Sequence, residues 1–179
     1  MKFEKVSYEQ FKNDYNNMDD NLRRWNYEWF SSHDIPSDDY IREIYDNIEL
    51  PTRSTKSSAG YDFKLPYSFN GNGSNGLLVT GIKCQLDDDK VLMLYPRSSL
   101  GIKKGFRLKN TTGVVDADYY NNRNNEGHIM FDFDSFEEID FHRGDKYMQG
   151  VIIQYFKVDE DNTNETRNGG FGSTNKGEI

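Results

Sequence analysis

The fold is decided by residues 77–95, which read LLVTGIKCQLDDDKVLMLY. Two apolar runs rich in branched and aromatic residues, 77–86 and 91–95, flank a cluster of three aspartates. This pattern is typical of strands joined by a turn. Further runs of the same kind occupy residues 129–133 and 151–156. The sequence therefore predicts a mainly β protein, built as a barrel or a sandwich.

Length and composition are consistent with one β domain that carries appendages. The chain has 179 residues, which is enough for a single core and too few for two full domains. Only 35% of the residues are hydrophobic, but 12 Phe and 12 Tyr are among the aromatic side chains. Because each aromatic ring buries a large area, these residues can replace aliphatic bulk in the core.

The charge and the histidines exclude two classes of site. A net charge of −8 argues against a general nucleic-acid surface, because phosphate backbones are bound by an excess of Lys and Arg. A small polyanion remains possible where a few cations converge. The three histidines, His33, His128 and His142, lack the spacing of metal ligands, so any metal is expected to arrive with the substrate.

The chain has no membrane signal. No apolar run approaches the roughly 20 residues of a spanning helix, and the N-terminus does not read as a signal peptide. We therefore expect a cytoplasmic protein that does not bind a membrane. The single cysteine, Cys84, is interpreted as a small strand residue without a catalytic role.

The first 30 residues have a helical period. Apolar side chains recur at steps of three and four: Tyr8, Phe11, Tyr15, Met18, Leu22, Trp25 and Trp29. Ser7 and Gln10 form a capping box at the start of this pattern. Poor helix formers at residues 16–21 predict two shorter helices or one helix with a break. The stripe either packs on its own protein or forms a docking site for a protein partner.

Composition divides the chain into three segments. Residues 1–48 form a largely helical extension, although 40–50 alone can be read as a short helix or as an entering strand. Residues 49–158 hold the β pattern. After residue 159 apolar side chains nearly vanish, and residues 159–179 are expected to be a flexible arm.

The arm contains a set of residues that suits a nucleotide. It combines Arg167 and the hydroxyls of Ser173 and Thr174 with several glycines, among them Gly172. Glycines let backbone N–H groups approach phosphate oxygens, while Arg and hydroxyls add charge and donors. Phe171 has no core to join, and stacking on a base would explain it. The alternative is a plain disordered tail.

Two further segments could bind or transform an anion. Arg97, Ser98 and Ser99 follow a predicted strand and provide one cation and two adjacent hydroxyls. Residues 110–119 read as an extended hairpin, since a glycine among Thr and Val residues opposes a helix. Asp116 follows two apolar residues there, and as an ionised carboxylate it could polarise a water molecule or simply stabilise a turn.

Taken together and in order, five segments resemble the motifs of the trimeric dUTP diphosphatase family. The matching stretches are AGYDF at 59–63, PRSSLG at 96–101, NTTGVVDADY at 110–119, GDKYMQG at 144–150 and RNGGFGST at 167–174. The resemblance covers about residues 50–176. It implies a jelly-roll-like β-barrel, a flexible arm that closes over the nucleotide, and a strand at residues 40–45.

The resemblance also implies a reaction and its catalytic groups. The family hydrolyses dUTP to dUMP and pyrophosphate, which keeps uracil out of DNA and supplies dUMP for dTMP synthesis. Asp116 would activate the water that attacks the α-phosphorus. Asp62 would hold, through water, a Mg²⁺ ion that clamps the triphosphate.

The substrate-binding residues follow from the same resemblance. Phosphates would be contacted by Arg97, Ser98, Ser99 and Gln149. The uracil-reading segment would include Asn110 and Gly113, and Tyr119 would stack under the deoxyribose and exclude a 2′-hydroxyl. The arm would close with Arg167, Ser173 and Thr174 over the γ-phosphate and Phe171 over the base, and Gly172 would also bind the substrate.

In this family each active site is shared among three subunits, so a homotrimer is implied. A dCTP deaminase of the same fold is the nearest alternative, and a regulatory module that binds a protein through the extension is another. The chain departs from the family pattern in the segment YNNRNNE at 120–126, which lengthens the step from the motif tyrosine to Gly127.

Overall fold

The computed structural model describes residues 1–18, 36–71 and 75–163 and confirms the mainly β prediction. The helices are α1 Tyr8–Asn16, α2 Asp38–Asp46 and α3 Ser98–Lys104, with a 3₁₀ turn at Ala117–Tyr119. The strands are β1 Lys2–Lys5, β2 Thr52–Arg53, β3 Tyr61–Lys64, β4 Phe69–Gly71, β5 Gly76–Val79, β6 Ile82–Gln85, β7 Lys90–Pro96, β8 Arg107–Leu108, β9 Gly113–Val115, β10 Met130–Asp134, β11 Ile139–Phe141 and β12 Lys146–Gln154. All four apolar runs contain or overlap strands.

One five-stranded sheet carries most of the site. Its order is β2-β3-β12-β7-β9, and every pair in it is antiparallel. A three-stranded sheet has the order β5-β10-β8, and the pairs β11-β4 and β1-β6 complete the described strands. Within the described ranges these sheets are not linked into one closed barrel. In the same part of the chain, no helix is long and apolar enough to cross a membrane.

The core is built largely from aromatic rings, as the composition predicts. The largest fully buried side chains include Tyr15, Tyr67, Tyr147, Phe11, Phe63, Phe106, Phe131 and Phe133. Phe106 stacks on Phe131 with ring centroids 5.6 Å apart and lies 5.0 Å from the Phe133 ring. Residues of the N-terminal extension belong to this same core rather than to a separate one.

The predicted start of the first helix is confirmed. Ser7 is its N-cap, and the Ser7 hydroxyl accepts a hydrogen bond from the Gln10 backbone N–H at 3.1 Å. The apolar stripe of α1 faces inward through Phe11 and Tyr15. Leu22, Trp25 and Trp29, along with residues 19–21 of the predicted break, lie outside the described residues.

The strand expected at residues 40–45 is wrong, because this segment is helix α2. Ser37 caps it by accepting from the Tyr40 N–H at 3.2 Å, and two aspartates occupy its first turn. Ile41 and Ile44 are buried while the two residues between them are exposed, which is a helical rather than an alternating pattern. The Ser37 cap satisfies a backbone N–H at the start of the helix, and the two negative charges in the first turn interact favourably with the positive end of the helix dipole.

The hairpin expected at residues 110–119 is also incorrect in its pairing. The flanking strands β8 and β9 belong to different sheets: β8 pairs with β10 and β9 pairs with β7. Thr111 adopts a left-handed conformation with φ 64°, which turns the chain from one sheet to the other. The segment therefore crosses between two sheets and ends in the 3₁₀ turn.

Candidate active site

Asp62 is the centre of a buried polar cluster on the five-stranded sheet. Its Oδ2 accepts hydrogen bonds from Lys146 Nζ at 2.8 Å and from Ser54 Oγ at 2.5 Å. Arg97 Nε lies 3.9 Å from its Oδ1. Three residues that are distant in sequence thus converge on one carboxylate that is 7% exposed.

The pairing of the strands produces this convergence. Asp62 on β3 is opposite Gln149 on β12, which in turn is opposite Tyr95 on β7. Arg97 directly follows β7, so the strand order β3-β12-β7 brings the first, second and fourth motifs side by side. A Cβ atom at Gly60 would lie 2.7 Å from Gln149 Oε1, so glycine leaves the space that this amide occupies.

Burial and hydrogen bonding act in opposite directions on Asp62. Burial raises the pKa of this carboxyl, but the hydrogen bonds from Lys146 and Ser54 and the charge of Arg97 outweigh it, so the pKa lies below its ordinary value. The carboxylate is therefore ionised at neutral pH and holds two cationic side chains near the surface.

A surface cavity of about 470 Å³ lies beside this cluster. It is lined by Arg97, Ser99, Leu100, Asp140, Phe141, Gly144, Asp145 and Lys146. Ser98 and Ser99 are exposed in the first turn of α3. Two cations and a hydroxyl in this lining suit phosphate oxygens, and the lining also includes two carboxylates.

Asp116 and Tyr119 lie on a single 3₁₀ turn at the end of β9. Asp116 is the N-cap of this turn, and the Tyr119 N–H donates to the Asp116 carbonyl at 3.1 Å. Asp116 is partly exposed, and Asn110 is exposed at the crossing between the sheets. A Cβ atom at Gly113 would lie 3.0 Å from the Leu94 side chain, so glycine is needed there for β9 to pack on β7.

Tyr119 is held by hydrogen bonds at its hydroxyl. The hydroxyl donates to the His128 carbonyl at 3.0 Å and accepts from Asn125 Nδ2 at 2.7 Å. Tyr119 is only 7% exposed in the single chain. Its ring position is therefore determined by the loop that follows it.

The structure groups the predicted site residues into two sets. Asp62, Arg97 and Gln149 meet on neighbouring strands, while Asp116 and Tyr119 share a turn that β9 joins to the same sheet. The predicted residues of the arm, Arg167, Phe171, Gly172, Ser173 and Thr174, lie outside the described residues.

Sequence reasoning missed three polar residues of these sets. Lys146 lies inside the fourth motif, three residues before Gln149, and that position could have revealed it. Asn125 belongs to the asparagine-rich insertion, whose composition is a weaker signal. Ser54 lies in an ordinary run of hydroxyl residues, and nothing local marks its contact with Asp62.

No ready-made metal cage exists in the described ranges. There, no group of three or more His, Cys, Asp or Glu side chains is placed to hold an ion. Asp62 is the carboxylate of the buried cluster, and two donors already occupy its Oδ2. This donor set fits a cation whose ligands are mainly phosphate oxygens and water, with Asp62 acting through water.

Sequence comparison identifies relatives over this whole region. The family model described as dUTPase matches residues 46–177. A deoxyuridine 5′-triphosphate nucleotidohydrolase of Lactococcus lactis is 42% identical over 132 residues, which is 71% of this chain and 88% of that protein. The corresponding protein of Gamma-proteobacterium EBAC31A08 is 34% identical over 138 residues, covering 71% of this chain and 95% of its own length.

Solved structures agree with the sequence comparison. The dUTPase of Streptococcus mutans superposes with a TM-score of 0.57 at 38% identity, covering 64% of this chain and 91% of that one. The dUTPase from phage phi11 of Staphylococcus aureus has a TM-score of 0.55 at 18% identity, over 69% of this chain and 94% of its own, and supports the fold alone. The jelly-roll-like fold is thereby confirmed, and the chain belongs to the dUTPase family.

Proposed function

We propose that this chain hydrolyses dUTP to dUMP and pyrophosphate. The observation that carries the proposal is the family match over residues 46–177, which contains all five motifs in order. The product dUMP would feed dTMP synthesis while dUTP is kept away from DNA. No finding favours the dCTP deaminase reading. A cytoplasmic location stays a prediction.

Asp116 is the proposed general base. Its carboxylate takes a proton from water while the water oxygen forms a bond to the α-phosphorus. The bond from the α-phosphorus to the oxygen bridging to the β-phosphorus breaks, and pyrophosphate leaves with the electron pair. Asp116 suits this role because it is partly exposed at the start of a short turn, where it is the N-cap.

The phosphate chain would lie along the cavity beside Asp62. Arg97, Lys146 and Ser99 line this cavity and can donate to phosphate oxygens. Gln149 lies opposite Asp62 on the adjacent strand β12. Donors that are already in place stabilise negative charge that develops in the transition state. Lys146 is added here to the residues that the family resemblance implied.

Magnesium is the proposed cofactor, held by the triphosphate and, through water, by Asp62. When bound, Mg²⁺ would neutralise phosphate charge and orient the triphosphate for in-line attack. The ion pairs that hold Asp62 keep its carboxylate charged and fixed for that contact. The arm residues 167–174 would then cover the nucleotide.

A homotrimer is proposed because the site sheet has an apolar outer face. Val91, Met93, Val114, Val151 and Ile153 lie on this face, in register across three strands. Val114 is 54% exposed and Ile153 is 42% exposed. Contiguous exposed apolar side chains mark association surfaces, and Val114 lies two residues before Asp116, so a shared active site fits this face.

The activity is tested by pyrophosphate release from dUTP, dCTP, dTTP and UTP in parallel, with Mg²⁺ and then with chelator. Release from dUTP alone that stops with chelator is expected. Ammonia released from dCTP without pyrophosphate would instead indicate a deaminase. Absence of turnover on all four nucleotides would contradict the proposed function.

The assembly is tested by light scattering on Ile153→Asp and on a matched control, Phe136→Asp. A charge on the apolar outer face is expected to convert the trimer to smaller species, because desolvating it there is costly. Phe136 is 75% exposed in the loop between β10 and β11, off this sheet, so the control should stay trimeric. A trimeric Ile153→Asp variant would refute this interface.

A further inference from the structure

The N-terminal extension and the insertion after Tyr119 form one contact network. The Ser7 N–H and hydroxyl donate to the two carboxylate oxygens of Glu126 at 2.9 and 2.6 Å. Lys83 Nζ bridges Asn121 Oδ1 at 2.7 Å and Glu126 Oε2 at 3.3 Å. Glu4 accepts a short hydrogen bond from the Tyr120 hydroxyl. The N-terminal extension, most of which precedes the family match at residues 46–177, therefore contacts the insertion directly.

A second connection runs through the interior. His128 is fully buried, and its Nε2 accepts from the Gly81 backbone N–H at 2.7 Å. Since a backbone N–H can only donate, the ring carries its proton on Nδ1 and donates it to Asp14 Oδ2 at 2.6 Å. Asp14 on α1 thereby fixes the ring of His128, whose carbonyl receives the Tyr119 hydroxyl.

The insertion itself is a compact loop organised by two buried amides. Asn125 is 8% exposed and donates to the Tyr119 hydroxyl at 2.7 Å, while its Oδ1 accepts from the Gly127 N–H at 3.1 Å. Asn122 donates to the Tyr119 carbonyl at 2.8 Å and to Asn125 Oδ1 at 2.8 Å. The backbone and the hydroxyl of Tyr119 are thus both held by the same loop.

We propose that residues 1–18 and the loop 120–128 are a brace that positions Tyr119, with Asn125 and Asp14 as positioning residues. Asn125 acts directly on the tyrosine hydroxyl, and Asp14 acts through His128. The brace keeps the ring rigid against the sugar, so that a nucleotide with a 2′-hydroxyl is rejected by steric contact. This inference rests on the proposed dUTPase activity, in which Tyr119 packs under the deoxyribose.

Rigidity matters here because the discriminating group is small. A 2′-hydroxyl can be accommodated if the ring moves by a fraction of an ångström, and a displacement of about 1 Å in a positioning group can alter rates by a large factor. Two hydrogen bonds at the hydroxyl, and two from Asn122 at the carbonyl, prevent that movement.

The experiment measures the ratio of kcat/KM for dUTP to that for UTP. Asn125→Ala is expected to lower this ratio about tenfold, the factor that corresponds to one lost buried hydrogen bond. Tyr119→Phe, which removes the anchored hydroxyl and keeps the ring, should reproduce the loss. The double variant should lose no more than either single variant, because both remove the same contact.

The link to the extension is tested on α1 with a conservative rescue. Asp14→Ala is expected to lower the dUTP/UTP ratio about threefold, while Asp14→Asn, whose amide oxygen still accepts from His128 Nδ1, should restore it. Glu9→Ala, an exposed carboxylate on the same helix, is the matched control and should leave the ratio unchanged.

The outcomes separate the two proposals. A wild-type chain without dUTP hydrolysis would refute the proposed function. A wild-type chain that is active and selective, with variants that melt earlier but keep the wild-type ratio, would refute the brace and leave the function standing. If Asn125→Ala does not fold, Tyr119→Phe and the Asp14 series decide the question by the same ratio.

Discussion

The two ends of the proposed nucleotide site are built in opposite ways. At the nucleoside end Tyr119, Asn125 and His128 are buried and joined by hydrogen bonds that need no ligand. At the phosphate end Ser98 and Ser99 are exposed, and one buried carboxylate, Asp62, holds the cations around it. In the proposed site, shape selection would be assembled in advance, whereas charge recognition would leave its donors near solvent until an anion arrives.

The contrast has a physical reason. Rejecting a nucleotide with one extra hydroxyl requires a rigid contact surface. Close packing in the protein interior makes a side chain that rigid. Phosphate oxygens attract cationic donors over longer distances and tolerate some side-chain motion. The phosphate end would therefore tolerate donors supplied by other subunits and by the arm more easily than the nucleoside end would.

The largest expected effect is on the rate of the chemical step, in a variant that leaves both ends of the nucleotide site unchanged. Asp116→Asn should reduce kcat by about 10³-fold or more, since the amide keeps the geometry but cannot take a proton. Binding of a non-hydrolysable dUTP analogue, followed by calorimetry, should be retained. Wild-type turnover in this variant would exclude Asp116 as the base.

The next prediction compares one glycine from each end of the nucleotide site, Gly127 behind Tyr119 and Gly144 in the cavity lining. A Cβ atom at Gly127 would lie 2.6 Å from the Tyr119 carbonyl oxygen, while nothing lies within 4 Å of one at Gly144, although both glycines have positive φ. Gly127→Ala should lower the free energy of unfolding by about 3 kcal/mol, through overlap with backbone as well as strain.

Gly144→Ala is the matched control, with an expected loss of about 1 kcal/mol from the left-handed backbone alone. Urea denaturation of the two variants measures the difference. Equal losses would mean that the loop behind Tyr119 is not packed as tightly as the contacts indicate.

A smaller effect is expected from the phosphate end. Arg97→Ala should raise KM for dUTP by about tenfold to a hundredfold, since a charged donor contributes roughly 1.5–3 kcal/mol. Arg97→Lys keeps the charge but loses the planar fork, so it should recover only part of the affinity. Steady-state kinetics at fixed ionic strength provide the test, and unchanged KM in both variants would remove Arg97 from the site.

The smallest effect concerns acid stability at Asp62. Its folded-state pKa lies below the ordinary value of 3.8, because the hydrogen bonds from Lys146 and Ser54 outweigh the effect of burial. Its contribution to stability is therefore complete above the unfolded-state pKa and is lost as the pH falls through the folded-state pKa.

The difference in melting temperature between wild type and Asp62→Asn should accordingly shrink as the pH is lowered from about 5 to about 3. Asp140→Asn, an exposed carboxylate of the same cavity, serves as the control and should show little difference at any pH. A constant difference for Asp62→Asn across this range would contradict the assignment.

The sequence predicted features that depend on neighbouring residues. The apolar runs at 77–86 and 91–95 indicated strands because alternation and turn residues act locally, and Ser7 indicated the start of α1 for the same reason. The motifs also indicated a family domain over about residues 50–176, since each depends on a short and characteristic stretch, and the family match over residues 46–177 confirmed it.

Tertiary structure alone decided the contacts that join distant segments. Lys146 and Asp62 are 84 residues apart, and Ser7 and Glu126 are 119 residues apart, so no local pattern contains these pairs. The placement of β8 and β9 in different sheets was missed for the same reason. At residues 40–45 the local pattern left a helix open, and the strand implied by the family resemblance was wrong. Local propensity constrains only the backbone of a segment, whereas its partners depend on how the whole chain buries its apolar surface.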